Sequence, residues 1–377
     1  MTNFRKLIPD HLQKLDSYKP GKAVRQAERE SGVRCIKLAS NENPFGPSPL
    51  AIEAIRAATS ESHFYPDNGV SELTSRLAEI HEVDASQILV TAGSTTFLDI
   101  IARSLLGPGL NAVTSKLSFI VYPIVTQATG AHLVEVPTLK DGYDLDGILA
   151  AIDGNTRLVY LANPNNPTGT VVDAGAIDRF LDRVPPHVIT VLDEAYYDFA
   201  RHFALERGLD YSHALEYVRA GGPVIVLRTF SKSHGLAGLR VGYGMGPAEL
   251  MGYFARMKPA FMVSSLGETA ALAALADEDH VARAVENNAA GARLLIPAIS
   301  DMGIRVVPTW SNFLFCHVGE DAPALCHLLQ EDGIIVRPMS GLWGAPEAFR
   351  VTIGTPDQNE QFLHALKRAR ARVPELK

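Results

Sequence analysis

The sequence predicts an α/β fold, with a large domain built on a mostly parallel central sheet flanked by helices and a smaller α+β domain beside it. Three observations carry this. Short apolar runs alternate with amphipathic helical stretches between Gln87 and Met245, the rhythm of βαβ units. That rhythm changes after about residue 265. A chain of 377 residues is also long for a single core.

The elements follow in order. Residues 1–36 are polar and irregular, with a Tyr18-Lys19-Pro20-Gly21 turn and then a short helix, and residues 1–44 read as an N-terminal arm that joins the small domain. Asn41-Glu42-Asn43-Pro44-Phe45-Gly46-Pro47 is too rich in Pro and Asn for a regular element. Helical spacing from Ser48 to Ala58 has Ser48 as N-cap and Pro49 in the first turn. The expected strands of the large domain, 45–265, are Gln87–Thr91, Asn111–Thr114, His132–Val136, Leu158–Leu161, Val188–Leu192, Val224–Leu227 and Val241–Met245. Helices such as Thr96–Leu106 and Asp173–Arg183 separate them. The small domain, 266–377, opens with an Ala-rich helix from Glu268 to about Leu295, just short of Pro297. Strand-like Arg305–Val307 and Phe313–His317, a helix near Pro323–Glu331, strand-like Ile334–Arg337 and Phe349–Ile353, and a terminal helix complete it.

Composition narrows the function classes. A hydrophobic share of 46% supplies a sizeable core, and a net charge of −7 without a Lys/Arg block favours neither nucleic acid nor an anionic membrane surface. The first residues lack the apolar stretch of a signal peptide, and no apolar run reaches the ~18 residues needed to span a bilayer. Cys35, Cys316 and Cys326 are odd in number, scattered and without metal-ligand spacing. Thiols that merely pack, in a reducing cytoplasm, and no metal site are expected.

Four segments, each just after an expected strand, carry chemistry. Parallel sheets bind ligands beyond the carboxyl ends of their strands. Thr91-Ala92-Gly93-Ser94-Thr95-Thr96 leads into a helix, and reads either as an anion cradle of free N–H groups or as an ordinary helix start. Ala162-Asn163-Pro164-Asn165-Asn166-Pro167-Thr168-Gly169 holds two Asn-Pro steps where one would make a turn. It is either a plain connection or a rigid loop that aims an amide. The strand before Asp193-Glu194-Ala195-Tyr196-Tyr197 ends in a carboxylate. Asp193 either caps the next helix or needs a cation, organic or metallic, to offset its desolvation. In Thr229-Phe230-Ser231-Lys232-Ser233-His234-Gly235, Lys232 lies among small residues, eight positions before Arg240. Such a loop lysine is either solvated or an amine poised to form imines with carbonyl compounds.

Taken in this order, Asn166-Pro167-Thr168-Gly169, Asp193-Glu194-Ala195-Tyr196, Ser231-Lys232 and Arg240 resemble the fold-type-I, class I/II aminotransferases that use pyridoxal 5'-phosphate. The resemblance runs from about Tyr18 to the C-terminus, and within the family it is greatest to the histidinol-phosphate branch. It implies that Lys232 forms the imine with the cofactor and then moves the proton. Asp193 would pair with the pyridinium nitrogen, which keeps the ring an electron sink. Asn166 and Tyr196 would bond the ring oxygen, and Phe119 would stack on the ring. Ala92, Gly93, Ser94, Thr229, Ser231 and Arg240 would hold the phosphate. Tyr65, in Phe64-Tyr65-Pro66-Asp67, resembles a tyrosine that reaches the partner subunit's cofactor, which implies a homodimer.

For substrate, Arg350 in Phe349-Arg350-Val351-Thr352 resembles the arginine that grips a carboxylate or phosphate in two-point contact. Arg337 and Tyr18 match further phosphate-binding positions, and the loop bearing Asn43 resembles the branch's substrate loop. The implied reaction is transamination between an amino donor, histidinol phosphate, and a 2-oxo acid such as 2-oxoglutarate, in histidine biosynthesis. Two departures leave room for a relative acting on aromatic or a broad range of amino acids. Leu117 stands where a proline is usual, and Ser233-His234 replaces a more apolar pair. The same scaffold would also serve a phospho-amino-acid decarboxylase or a non-catalytic regulator. Trp310 and Trp343 read as packing residues, and Glu42 as a group near the site.

Overall fold

The computed structural model describes residues 3–16 and 24–373. The N-terminal part holds helices α1 (Asp10–Gln13) and α2 (Val24–Ser31), strand β1 (Ile36–Lys37), and helices α3 (Pro49–Ala58) and α4 (Ser71–His81). The central part runs β2 (Ile88–Thr91), α5 (Ser94–Leu105), β3 (Asn111–Ser115), α6 (Val121–Ala128), β4 (His132–Val136), α7 (Leu145–Ala151), β5 (Thr156–Ala162) and α8 (Ala174–Leu181). It continues through β6 (Ile189–Asp193), α9 (Tyr197–Arg207), α10 (Ala214–Arg219), β7 (Val224–Thr229), β8 (Gly242–Met245), α11 (Ala248–Met257) and α12 (Ser265–Leu275). The C-terminal part holds α13 (Glu278–Ser300), β9 (Arg305–Val306), β10 (Phe313–His317), α14 (Ala322–Glu331), β11 (Ile334–Ile335), β12 (Arg337–Pro338), β13 (Ala348–Thr352) and α15 (Pro356–Arg372).

The central sheet has seven strands in the order β2-β8-β7-β6-β5-β3-β4. Only β8 runs against its neighbours; β3, β4, β5, β6 and β7 pair in parallel. The strands β2, β3 and β7 are buried almost throughout, as expected when helices cover both faces. The edge strand β4 alternates instead, with His132 and Glu135 exposed. Apolar residues from opposite faces of the sheet fall into two cores, one around Val113, Val159 and Val226, the other around Phe97, Tyr160 and Leu227.

A four-stranded sheet, β12-β13-β10-β9, is antiparallel throughout, and a separate parallel pair joins β1 to β11. A third core, around Leu38, Leu314, Phe349 and Phe362, lies under α13, α14 and α15.

Local signals placed the helices well. Ser48 Oγ accepts from Ala51 N at 3.1 Å with Pro49 next, and Asp173 Oδ1 accepts from Ala176 N at 2.9 Å. Both are N-caps that satisfy a free helix donor. The long Ala-rich helix differs from expectation. It breaks at Ala276-Asp277, where the Asp277 carboxylate accepts from His280 N at 3.2 Å and starts a new helix. Pro297 lies inside α13, three residues before its end, where its missing N–H removes a single ladder bond. Helix α12 packs on α3, while α13 packs on α9 and α15. The expected strand Ile334–Arg337 also divides, since Ile334–Ile335 pairs with β1 and Arg337–Pro338 with β13.

Candidate functional site

The sheet's connectivity gathers the four segments at one edge. Strands β3, β5, β6 and β7 are parallel, and β2 is parallel to them because β8 runs against both β2 and β7. Thr91 and Thr229, the last residues of β2 and β7, both face Gly242, the first residue of β8. Likewise Ala162 at the end of β5 pairs with Asp193 at the end of β6. A cleft opens at this edge, lined among others by Ser94, Phe119, Asn166, Asp193, Lys232 and Arg350.

Asp193 is only 4% exposed. Its hydrogen-bond partners are neutral: Tyr122 Oη donates to Oδ2 at 3.1 Å and Ala195 N donates to Oδ1 at 3.2 Å. Burial raises its pKa to about 6, and these two bonds only partly oppose the rise. Lys232 shows the converse effect. Burial, followed by the charge of Arg350, lowers its pKa to about 8. Its amine donates to Ser40 O at 3.3 Å and sits 5.6 Å from the centre of the Tyr196 ring.

Around the start of α5 the chain turns sharply beside the cleft. Gly93, at φ +84°, is the N-cap, and no side chain caps the helix. Ser94 and Thr95, the first residues of the helix, line the cleft, and the backbone N–H groups of a helix start favour an anion. A Cβ on Gly93 would stand 2.4 Å from Arg240 Nη2, and one on Gly242 would stand 2.4 Å from Ser94 N. Glycine at both positions lets the arginine and β8 close over the helix start. Thr229 Oγ1 donates to Ser231 Oγ at 3.0 Å, and Arg240 Nη1 reaches Ser231 Oγ at 3.4 Å. Ala92 stands just behind, its carbonyl accepting from Thr96 Oγ1 at 2.9 Å.

The Asn-rich loop has three distinct uses. Asn163 exchanges two bonds with the Val172 backbone, each 2.9 Å. Asn165 Nδ2 donates to Leu117 O at 2.9 Å, while its Oδ1 accepts from Ser118 Oγ and Tyr143 Oη, each at 3.2 Å. This ties down the segment that presents Phe119 to the cleft. Leu117 has φ +50°, a conformation that a proline ring forbids. Asn166 faces the cleft and accepts from Arg350 Nη1 through Oδ1.

The opposite wall comes from β12 and β13, where Arg337 and Arg350 are cross-strand partners. Like charges placed directly opposite are unfavourable without an anion between them. Arg350 also donates from Nη2 to Ala39 O at 3.1 Å. Both guanidiniums lie near the Trp343 ring, at 5.9 Å for Arg337 and 5.4 Å for Arg350. Trp343 is buried as expected of a packing residue and also lines the cleft.

Other expected site residues fall outside the cleft lining. Asn43 is buried behind it, donating to Ser233 O at 2.7 Å, so it braces the Lys232 loop. On the same loop Ser233 Oγ donates to Asp198 and contacts His234 Nδ1 at 3.2 Å. Tyr65 is 83% exposed and stacks on Phe261 at 4.7 Å. Tyr18 lies outside the described residues. Sequence reasoning missed Tyr122 and Asn41, whose partners are distant in the chain. Glu42 lines the cleft and pairs with Lys37 at 2.7 Å.

Residues 33–366 match the family described as Aminotransferase class I and II. Histidinol-phosphate aminotransferase 2 of Pseudomonas aeruginosa is 45% identical to this chain over 369 residues, 97% of this chain and 98% of that protein. The histidinol-phosphate aminotransferase of Akkermansia muciniphila is 43% identical over 361 residues, 95% and 97% of the two chains. The crystal structure of histidinol-phosphate aminotransferase from Sinorhizobium meliloti in complex with pyridoxal-5'-phosphate is similar with a TM-score of 0.88 and 29% identity, covering 97% of this chain and 98% of that one. Matched in sequence pattern, in relatives and in fold over most of its length, the chain belongs to the class I and II aminotransferases.

Proposed function

We propose that the chain holds pyridoxal phosphate at Lys232 and transfers an amino group between histidinol phosphate and a 2-oxo acid such as 2-oxoglutarate, a step of histidine biosynthesis. The observation that carries this reading is the convergence of Lys232, Asp193 and the Arg337–Arg350 pair on one cleft. The residues fit the cofactor. A buried carboxylate with only neutral hydrogen-bond partners suits a protonated pyridine nitrogen. Gly93 and Gly242 let Arg240 and β8 approach the start of α5 closely, and the cleft lining that gathers there, Ser94, Thr95, Ser231 and Arg240, suits a phosphate.

When bound, the cofactor supplies an aldehyde that condenses with amines and a ring that takes up electron density. The chain does the rest. Asp193 would hold the proton on the ring nitrogen. Phe119 would pack against the ring, while Asn166 and Tyr196 would bond its oxygen. Ser94, Thr229, Ser231 and Arg240 fix the phosphate, with Ala92 and Gly93 shaping the turn beneath. Lys232 would take the proton from the substrate carbon at Nζ and pass it to the cofactor's carbonyl carbon instead of back to the substrate. An amine with a pKa near 8 is well matched to that task near neutral pH. Arg337 and Arg350 take the substrate's phosphate or carboxylate, for which a planar guanidinium offers paired donors.

Side-by-side kinetics with histidinol phosphate and phenylalanine as donors, and 2-oxoglutarate as acceptor, test the substrate. The expected result is a kcat/KM for histidinol phosphate about 100-fold the larger, the scale of hydrogen bonds to a charged group, about 1.5–3 kcal/mol each. A good rate with phenylalanine and none with histidinol phosphate would sink the substrate assignment and leave the family intact.

Three further proposals go with this reading. The arm 1–44 joins a small domain 266–377 beside a large domain 45–265, and the β1–β11 pairing supports the first part. The packing of α12 on α3 favours a boundary nearer Ala276-Asp277. The exposed aromatics Phe64, Tyr65 and Phe261 suit contact with a second copy of the chain, hence a homodimer. A cytoplasmic setting accords with three free cysteines and with the lack, among the described residues, of a helix long and apolar enough to cross a membrane.

A further inference from the structure

Asn41 is 1% exposed and spends every polar group on a distant part of the chain. Its N–H donates to Thr352 Oγ1 at 2.9 Å, and its carbonyl accepts from Asn312 Nδ2 at 3.1 Å. Its Oδ1 accepts from Thr352 Oγ1 at 3.2 Å, and its Nδ2 donates to Tyr196 Oη at 2.9 Å. The backbone is in the left-handed region, φ +57°, which asparagine tolerates better than most residues.

Donor and acceptor accounting fixes which way the amide faces. Thr352 Oγ1 already accepts from the Asn41 N–H, so it has a proton to give, and Oδ1 is the acceptor beside it. Turned over, the amide would set a donor against that proton and strand it in a buried place. With Oδ1 committed to Thr352, a donor meets the Tyr196 oxygen, and the hydroxyl proton is excluded from that side.

We propose that Asn41 is a positioning residue, set by Thr352, that turns the Tyr196 hydroxyl proton into the cleft toward the cofactor's ring oxygen. This rests on the pyridoxal phosphate reading above. While Asn41 donates to the Tyr196 oxygen, the phenolic proton is kept off that side and favoured toward the cleft. Thr352 lies two residues from Arg350 on β13, so one strand carries both the anion grip and the group that sets Tyr196.

The test is the pH titration of the holoenzyme's visible band, ~420 nm for a protonated lysine-linked chromophore. Donation to the ring oxygen lowers the proton affinity of the neighbouring lysine-linked nitrogen. The charged groups that line the cleft with it, namely Asp193, Arg240, Arg337, Arg350 and Glu42, are unchanged by the variants. Asn41→Asp offers Tyr196 an acceptor and adds charge, so the midpoint should rise by about one pH unit. Thr352→Val adds no charge and is nearly isosteric. It frees the amide to turn, and the midpoint should rise by about half a unit. A Thr352→Val midpoint equal to that of the parent enzyme overturns the proposal, even if Asn41→Asp shifts by its charge alone. Should Asn41→Asp fail to fold, Thr352→Val decides by itself. A parent protein with no band removes the cofactor reading and this one with it, whereas a parent band that titrates while Thr352→Val does not differ removes only this one.

Discussion

The sheet edge supplies Asp193, Lys232 and Arg240 from positions within a few residues of β6, β7 and β8, whereas the facing wall draws Arg337 and Arg350 from a second sheet and Asn41 from 311 residues before Thr352. The first wall inherits its geometry from a buried seven-stranded ladder. The second depends on the N-terminal segment closing against β13 through Leu38, Ala39 and Asn41. Changes on the sheet edge should therefore strike the chemical step, and changes to the two arginines of the facing wall should strike substrate capture.

The largest effect belongs to Lys232→Ala, with kcat down about 10⁴-fold or more and the visible band lost, since this amine is proposed as both anchor and base. Any variant retaining the band would move the attachment elsewhere. Asp193→Asn comes next. A neutral amide no longer stabilises charge on the ring, so kcat should fall about 10²–10³-fold with little change in KM. A change confined to KM would place Asp193 on the wrong wall.

Arg350→Gln and Arg337→Gln test the facing wall. Each should lower kcat/KM by about 10–100-fold, the scale of lost charge-assisted hydrogen bonds. Arg350→Gln should affect both donor and oxo acid, and Arg337→Gln mainly the phosphorylated substrate. Equal losses for both substrates in both variants would remove the division of labour.

The smallest effects are those of pH on the cofactor-free protein. Since the neutral amine is the nucleophile, the rate of cofactor uptake should rise with pH and level off above about 8. The Asp193 pKa lies above its ordinary 3.8, at about 6. The folded chain thus holds this proton more tightly than the unfolded one, and folding stability should decline as pH rises through that window. Thermal unfolding scans should show this slope without cofactor and lose it once a cation pairs with Asp193.

The contrast between the walls also explains what the sequence made legible. Asp193, Lys232 and the Gly93 turn could be read because an apolar strand followed by a polar residue is a local signal, and parallel strands bring such ends together. The helix break at Asp277 is a side-chain cap inside an Ala-rich run whose periodicity hides it. The division of Ile334–Arg337 depends on two different partner strands, neither of which is adjacent in sequence. Asn41 and Asn43 lie two residues apart in one Pro-rich loop. Only the fold shows that the first meets Tyr196 and the second the Lys232 loop. Tyr122 supports Asp193 from 71 residues away and carries no motif of its own.

The most direct test of the central claim is the absorbance spectrum of the purified, cofactor-loaded protein before and after histidinol phosphate is added without any oxo acid. The expected result is a band near ~420 nm that disappears on addition and returns when 2-oxoglutarate follows. A band that persists unchanged contradicts the substrate, and a protein with no band contradicts the assignment of Lys232 as the cofactor lysine.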